Sequence, residues 1–214
     1  MKRLAFIPLL LLAFPAMPDD AALTPVEDIT PIIRDLEQKM SSLESVYLEF
    51  TQERHLSLFA EPLKSSGVML IARPDRIRWE TTRPYGSILL GDSKSVAQFE
   101  LVDGRWNKLK IGFREMLKQV MEQMVLMHQG RLDALTRDYE ISIATGDVAV
   151  ITLTPKDKDV RSMLSALDVI MEPDYSATRE VVMKEPGGDF TRIVFDREIR
   201  NKPLPEDSFD LSKP

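Results

Sequence analysis

From Val46 onward the side chains alternate with a period of two: Val46, Leu48 and Phe50 fall on one side, Tyr47, Glu49 and Thr51 on the other. That spacing puts one set on each face of an extended strand and predicts a half-buried β-strand. Similar short runs return at Val68 to Ala72, Ile77 to Thr81, Ile88 to Leu90, Val96 to Val102, Tyr139 to Ile143, Val148 to Thr154, Leu167 to Met171, Glu180 to Lys184 and Phe190 to Ile199. Between them stand the hairpin signals Asp103-Gly104, Gly146-Asp147, Pro173-Asp174 and Gly187-Gly188, dipeptides that tolerate the backbone of tight turns. Short strands joined by tight turns imply an antiparallel meander. No stretch alternates strands with helices, as a parallel doubly wound sheet requires.

Two segments follow the helical period instead. Thr30 and Pro31 read as an N-cap and a proline at the first helical position, followed by apolar residues at Ile32, Ile33, Leu36, Met40 and Leu43. The second runs from Gly112 to Gln129, just before Gly130, and carries Met116, Leu117, Val120, Met121, Met124, Val125, Leu126 and Met127. Packing of an ordinary core helix explains the apolar spacing but does not predict methionine. Methionine is flexible and polarisable, so it specifies one packing poorly and suits a surface that must fit variable apolar partners. This helix is therefore either a core element or the lid of a ligand cavity. A curved sheet with helices across its concave face forms a filled core or a lined cavity, and both remain open at this point.

The start of the chain bears on its compartment. Lys2 and Arg3 precede an apolar run from Leu4 to Phe14, broken at Pro15 to Pro18 before Asp19 and Asp20. That is the anatomy of a secretory signal peptide, and the run is about half the length of a membrane span. We expect residues 1–22 to be a leader cleaved between Ala16 and Ala22, and residues 23–214 to form one domain. No cysteine follows to accept a lipid, so a Gram-negative source would place the mature chain free in the periplasm.

Composition excludes several chemistries. With no cysteine there is no disulfide framework, thiol nucleophile or thiolate metal site. A net charge of −6 offers no basic footprint for nucleic acid. His55 and His128 are far apart, lack His-Glu-x-x-His spacing and read as surface histidines. Gly-x-Ser-x-Gly, Walker and dinucleotide patterns are absent, and paired acids such as Glu49 with Glu53 or Asp157 with Asp159 read as solvated charge. We expect no catalytic residue, metal or cofactor, and hence no enzyme.

Phe50-Thr51-Gln52, Ser65-Ser66-Gly67, the run Arg73-Pro74-Asp75-Arg76-Ile77-Arg78-Trp79-Glu80 and Pro84 follow in an order that resembles the N-terminal half of the LolA family, periplasmic carriers of outer-membrane lipoproteins. A similar close occurs at Pro205-Glu206-Asp207-Ser208-Phe209-Asp210-Leu211, whereas Leu101 to Arg137 lacks an obvious family pattern. The resemblance implies an α+β, mainly antiparallel fold: an incomplete, half-open β-barrel with a helical lid over a hydrophobic cavity that takes acyl chains. It implies that Arg73 hydrogen-bonds the lid and holds the empty carrier closed. From the residues alone, Arg73 could equally be a solvated charge at a strand end. Ile77 and Trp79 share one strand face and should point into the concavity with Phe50, either as core or as ligand contacts.

The expected ligand-binding set is accordingly Phe50, Ile77, Trp79, Met116, Leu117, Val120, Met121 and Met124, with Arg73 as latch. Each buried methylene contributes about 0.8 kcal/mol, so a chain of ~16 carbons resists leaving a membrane by roughly 12 kcal/mol. A carrier must offer comparable contact and still release its load. The expected partners are an acylated lipoprotein or lipid cargo, an inner-membrane releasing complex and an outer-membrane acceptor, with the carrier acting as a monomer. The long methionine helix keeps open a glycolipid or polyene-type cargo, and a lipid-sensing regulatory module of the same half-barrel is the alternative function.

Overall fold

The computed structural model describes residues 23–92, 94–110 and 122–214. One antiparallel sheet of twelve strands dominates it. In chain order these are β1 (Thr24–Pro25), β2 (Ser45–His55), β3 (Leu63–Ala72), β4 (Arg76–Arg83), β5 (Ser87–Gly91), β6 (Val96–Val102), β7 (Arg105–Lys108), β8 (Tyr139–Thr145), β9 (Ala149–Pro155), β10 (Ala166–Met171), β11 (Thr178–Lys184) and β12 (Phe190–Arg200). They lie in the order β1-β8-β9-β10-β11-β12-β2-β3-β4-β5-β6-β7. Two runs of hairpins are thus joined by one long non-local pair, β12 with β2, in register from Phe190 opposite His55 to Arg200 opposite Val46. Strands β1 and β7 form the outer edges and do not pair with each other, so the sheet curves without closing.

Helix α1 (Thr30–Met40) lies between β1 and β2, and a second helical stretch, α2 (residues 122–128), lies between β7 and β8. Two short turns of helix, α3 (Leu132–Leu135) and α4 (Lys158–Arg161), complete the helical part. The start of α1 differs slightly from its sequence signature. Ile29 is the N-cap residue, without a side-chain cap; Thr30 is already helical, and its backbone N–H donates to the Asp28 carboxylate at 3.0 Å. Those bonds from Thr30 hold the Asp28 carboxyl below its ordinary range.

Alternation decides which side chains the sheet buries. Leu48 on β2 stands opposite Met69 on β3, Met69 opposite Trp79 on β4, and Trp79 opposite Leu89 on β5. Cross-strand partners share a face, so this row crosses four strands on the concave side, where α1 and α2 pack. Leu36, Met40, Val125, Leu132 and Leu135 join Val46, Ile71, Ile151 and Val169 in one core. Arg78 and Glu80 alternate onto the opposite face, where they form an ion pair at 2.9 Å. On that face Ile88, Leu90, Ala97 and Phe99 make a second, smaller core, closed by Trp106 and Leu211. The C-terminal segment reaches it through a 3-10 turn (Glu206–Phe209), with Arg76 over the Phe209 ring at 4.9 Å.

Gly67 explains one of the sequence motifs. It sits directly opposite Phe50, at a bulge in the β3–β4 pairing, and a Cβ there would lie 1.9 Å from the Glu80 carbonyl oxygen. Only a residue without a side chain permits that approach.

Candidate functional site

Between the concave face and the two helices lies a cavity of about 310 Å3. Its floor comes from the sheet: Leu48, Met69, Ile71, Trp79, Ile151, Val169, Met171, Val181, Met183, Ile193 and Phe195. Its cover comes from Leu36 and Met40 of α1 and from Gln123, Met124, Met127 and His128 of α2. Of the nine methionines beyond residue 22, six line this space: Met40, Met69, Met124, Met127, Met171 and Met183. They come from both helices and from three separate strands, so the bias toward methionine belongs to the cavity and not to one helix.

The residues singled out by sequence occupy different places. Trp79 and Met124 line the cavity. Phe50 is buried beside Trp79, with ring centroids 5.4 Å apart and planes at 72°, an edge-to-face contact that fixes the indole. Ile77 is also buried, opposite Ile71 and Gly91, and like Phe50 is not part of the wall. Met116, Leu117, Val120 and Met121 lie outside the described residues.

Arg73 binds the end of α1. Its Nε donates to the Leu43 carbonyl at 2.6 Å, and one terminal nitrogen reaches the carbonyls of Ser41 at 3.0 Å and Met40 at 3.4 Å. The last carbonyls of a helix lack intrahelical partners and carry partial negative charge, so a guanidinium is well matched to them. The neighbouring Pro74 serves the other helix, its carbonyl accepting from Gln129 Nε2 at 2.7 Å. Three further contacts hold α2. Tyr139 donates its hydroxyl to Gln123 Oε1 at 2.7 Å. Arg131 N–H closes the helix onto the Leu126 carbonyl at 2.9 Å. Gly130, at φ +69°, crosses α1 so closely that a Cβ would meet the Leu36 carbonyl oxygen at 2.7 Å. The Arg-Pro turn thereby touches both covering helices.

His128 does not sit on the surface as its isolation in the sequence led us to expect. It follows Met124 by four residues, which places it on the same, inward face of α2. Part of the residue remains accessible, but its Nε2 is sealed from solvent and has no hydrogen-bond partner. Burial pushes the imidazole down to about 4, and the positive charges of Arg200 and Arg73 add to the effect. His55 is different: its ring stacks on Phe190 at 4.2 Å and its Nε2 lies 3.4 Å from Glu53. The sheet-borne liners Met69, Met171, Met183 and Phe195 were not singled out from sequence, although their period-two spacing carried the signal. The missing information was which strand face the curvature turns inward.

The family described as "Outer membrane lipoprotein carrier protein LolA" matches residues 41–212, well over half of the chain. The chain belongs to the LolA family. An outer-membrane lipoprotein carrier protein of Aeromonas salmonicida is 25% identical over 165 residues, covering 76% of this chain and 77% of the relative. One from Chromobacterium violaceum is 26% identical over 165 residues, covering 71% and 69%. Among solved structures, an uncharacterized conserved protein from Thermus thermophilus superposes with a TM-score of 0.52 at 9% identity, covering 85% of this chain and 93% of its own. The LolA match includes the Arg-Pro turn, Trp79, α2 and every strand lining the cavity. Among the described residues no helix is long and apolar enough to cross a membrane.

Proposed function

We propose that this chain is a non-enzymatic periplasmic carrier: it takes acyl chains of a lipoprotein, or of a related acylated lipid, into the methionine-lined cavity and moves them from the inner to the outer membrane. The observation that carries this reading is the cavity of about 310 Å3 beneath two helices, with six methionines and Trp79 in its wall. An apolar recess of this size lies in the range of ligand sites. A wall of flexible thioethers offers contact along an alkyl chain without fixing its shape, which suits a carrier that must also let go. Trp79, steadied by Phe50, gives one rigid surface against which the chain lies; Ile77 packs beside the floor on the same face.

Arg73 is the latch in this proposal. By holding the end of α1 while Pro74 engages α2, the Arg-Pro turn keeps the cover seated when the cavity is empty. Cargo entering between helices and sheet displaces the cover and strains those bonds. The chain carries no nucleotide-binding motif, so in this scheme loading is driven by an inner-membrane releasing complex, and delivery is to an outer-membrane acceptor.

The test is native mass spectrometry of gently purified protein after exposure to bacterial membranes. The expected spectrum contains a lipid-bound species whose released ligand is acylated. Only empty protein, under conditions where a known lipid binder is loaded, would overturn the proposal.

A further inference from the structure

The cavity is not uniformly apolar, and its exception is a histidine. At one end His128 Nε2 is buried and unpartnered, next to Arg200 and Glu198, which also reach the lining. A buried polar nitrogen without a partner is costly to keep, and the residue that carries it lines the space the ligand would occupy. Resting on the acyl-carrier proposal above, we propose that His128 is a subsite for the carbonyl oxygen of an ester- or amide-linked acyl chain, to which the imidazole Nε2–H donates.

The geometry sets the direction of the ligand. Met124 and His128 are one helical turn apart on the same face of α2, about 5–6 Å along its axis. A chain with its carbonyl at His128 has its first methylenes beside Met124 and its tail over the methionines and Trp79 of the floor.

Charge decides which oxygen fits. Arg200 is not free to receive a carboxylate: its Nε donates to Glu198, and a terminal nitrogen donates to the Ser176 carbonyl. The Glu198 carboxylate offsets the guanidinium and would repel a second anion. The imidazole is uncharged, and the two guanidiniums that act on it, Arg200 and Arg73, already direct donors elsewhere, Arg73 to the carbonyls at the end of α1. A neutral acceptor is therefore favoured over a free fatty acid or a phosphate. Free fatty acids and ester-linked chains share the acyl group, so the test must separate them.

1-Palmitoylglycerol and 1-O-hexadecylglycerol differ in the carbonyl and match in chain and headgroup. Their affinities, with that of palmitate, are measured by displacement of bound N-phenyl-1-naphthylamine from the wild type, His128→Phe and His128→Gln. The expected result is a preference of about five- to tenfold for the ester over the ether in the wild type. The preference disappears in His128→Phe and is kept in His128→Gln, whose amide retains a donor, while palmitate gains nothing from His128. Thermal melting confirms that both variants are folded. Equal binding of ester and ether by the wild type would overturn this inference and leave the carrier reading standing. Tightest binding of palmitate, dependent on His128, would replace it with a carboxylate site. Binding of none of the three removes the carrier reading, and this inference falls with it.

Discussion

The sheet supports two apolar clusters on opposite faces, and they are built from different residues. The smaller one packs Ile88, Leu90, Ala97 and Phe99 under Trp106 and Leu211 and contains no methionine. The larger one has buried residues on eight strands and three helices, and where it borders the cavity it includes six methionines. Branched and aromatic side chains have few rotamers and interlock to fill a space completely. Methionine has three rotatable bonds and tolerates imperfect packing. The small cluster is therefore suited to fixing the sheet, and the methionines of the large one to an interior that can change.

The largest effect that would sharpen this contrast is expected in the filled cluster. Leu90 has no exposed surface and packs in one cluster with Ile88, Ala97 and Phe99. Leu90→Ala should cost about 3 kcal/mol in urea unfolding, within the usual range for such truncations. Acyl-chain affinity should stay unchanged, because Leu90 faces away from the cavity. A loss of binding larger than the loss of stability would mean that the two faces are not independent.

A second effect belongs to the cavity alone. The ordinary pKa of histidine is 6.5, whereas burial holds His128 at about 4. Between those values the unfolded chain binds a proton that the folded chain refuses, so the contribution of the neutral ring is present above 6.5 and is lost as pH falls toward 4. The loss should be on the order of 2–3 kcal/mol. It is read from urea midpoints between about pH 7 and about pH 4.5. His128→Phe should flatten that segment of the profile. An unchanged slope in the variant would place the proton uptake elsewhere.

Much of this organisation is legible in the chain, and the rest is hidden for definite reasons. Period-two runs and turn dipeptides mark the antiparallel strands, because alternation is a local property of the backbone. The joint between β12 and β2 is invisible to such patterns, since it brings together residues nearly 150 positions apart. The same limit applies to the site. Trp79 lies on a readable face, but Met171 and Met183 become cavity residues only once the sheet is curved, and Phe50 and Ile77, though on the same face as Trp79, pack beside the cavity and not in its wall. His128 was readable: four residues after Met124, it had to share the inward face of α2. Taking an isolated histidine for a surface group overlooked that spacing.

Arg73 connects the two regimes, since it leaves β3 and ends on the cover of the cavity. Arg73→Leu leaves carbonyls at Met40, Ser41 and Leu43 to find water, and these sites are partly exposed. The expected cost is about 1–2 kcal/mol, smaller than that of the core truncation. The sharper readout is kinetic. Cargo should still load, but onward delivery in a two-membrane transfer assay should fail or change rate, and amide exchange at the end of α1 should quicken. Unaltered delivery would remove Arg73 from the latch role and leave it as a helix cap.

The smallest effect on stability tests the meaning of the methionines most directly. Met124→Leu combined with Met183→Leu conserves volume and hydrophobicity, so each exchange should cost less than about 1.5 kcal/mol. Leucine branches and has fewer ways to rearrange, so the wall should accept fewer chain shapes. Competition binding should show a straight hexadecanoyl glyceride held as well as before and a kinked cis-octadecenoyl glyceride weakened by about threefold. If both chains lose affinity equally, the methionines supply apolar area and nothing more. If neither changes while the protein becomes more stable, the six thioethers belong with the filled cluster on the other face, and the contrast between the two interiors disappears.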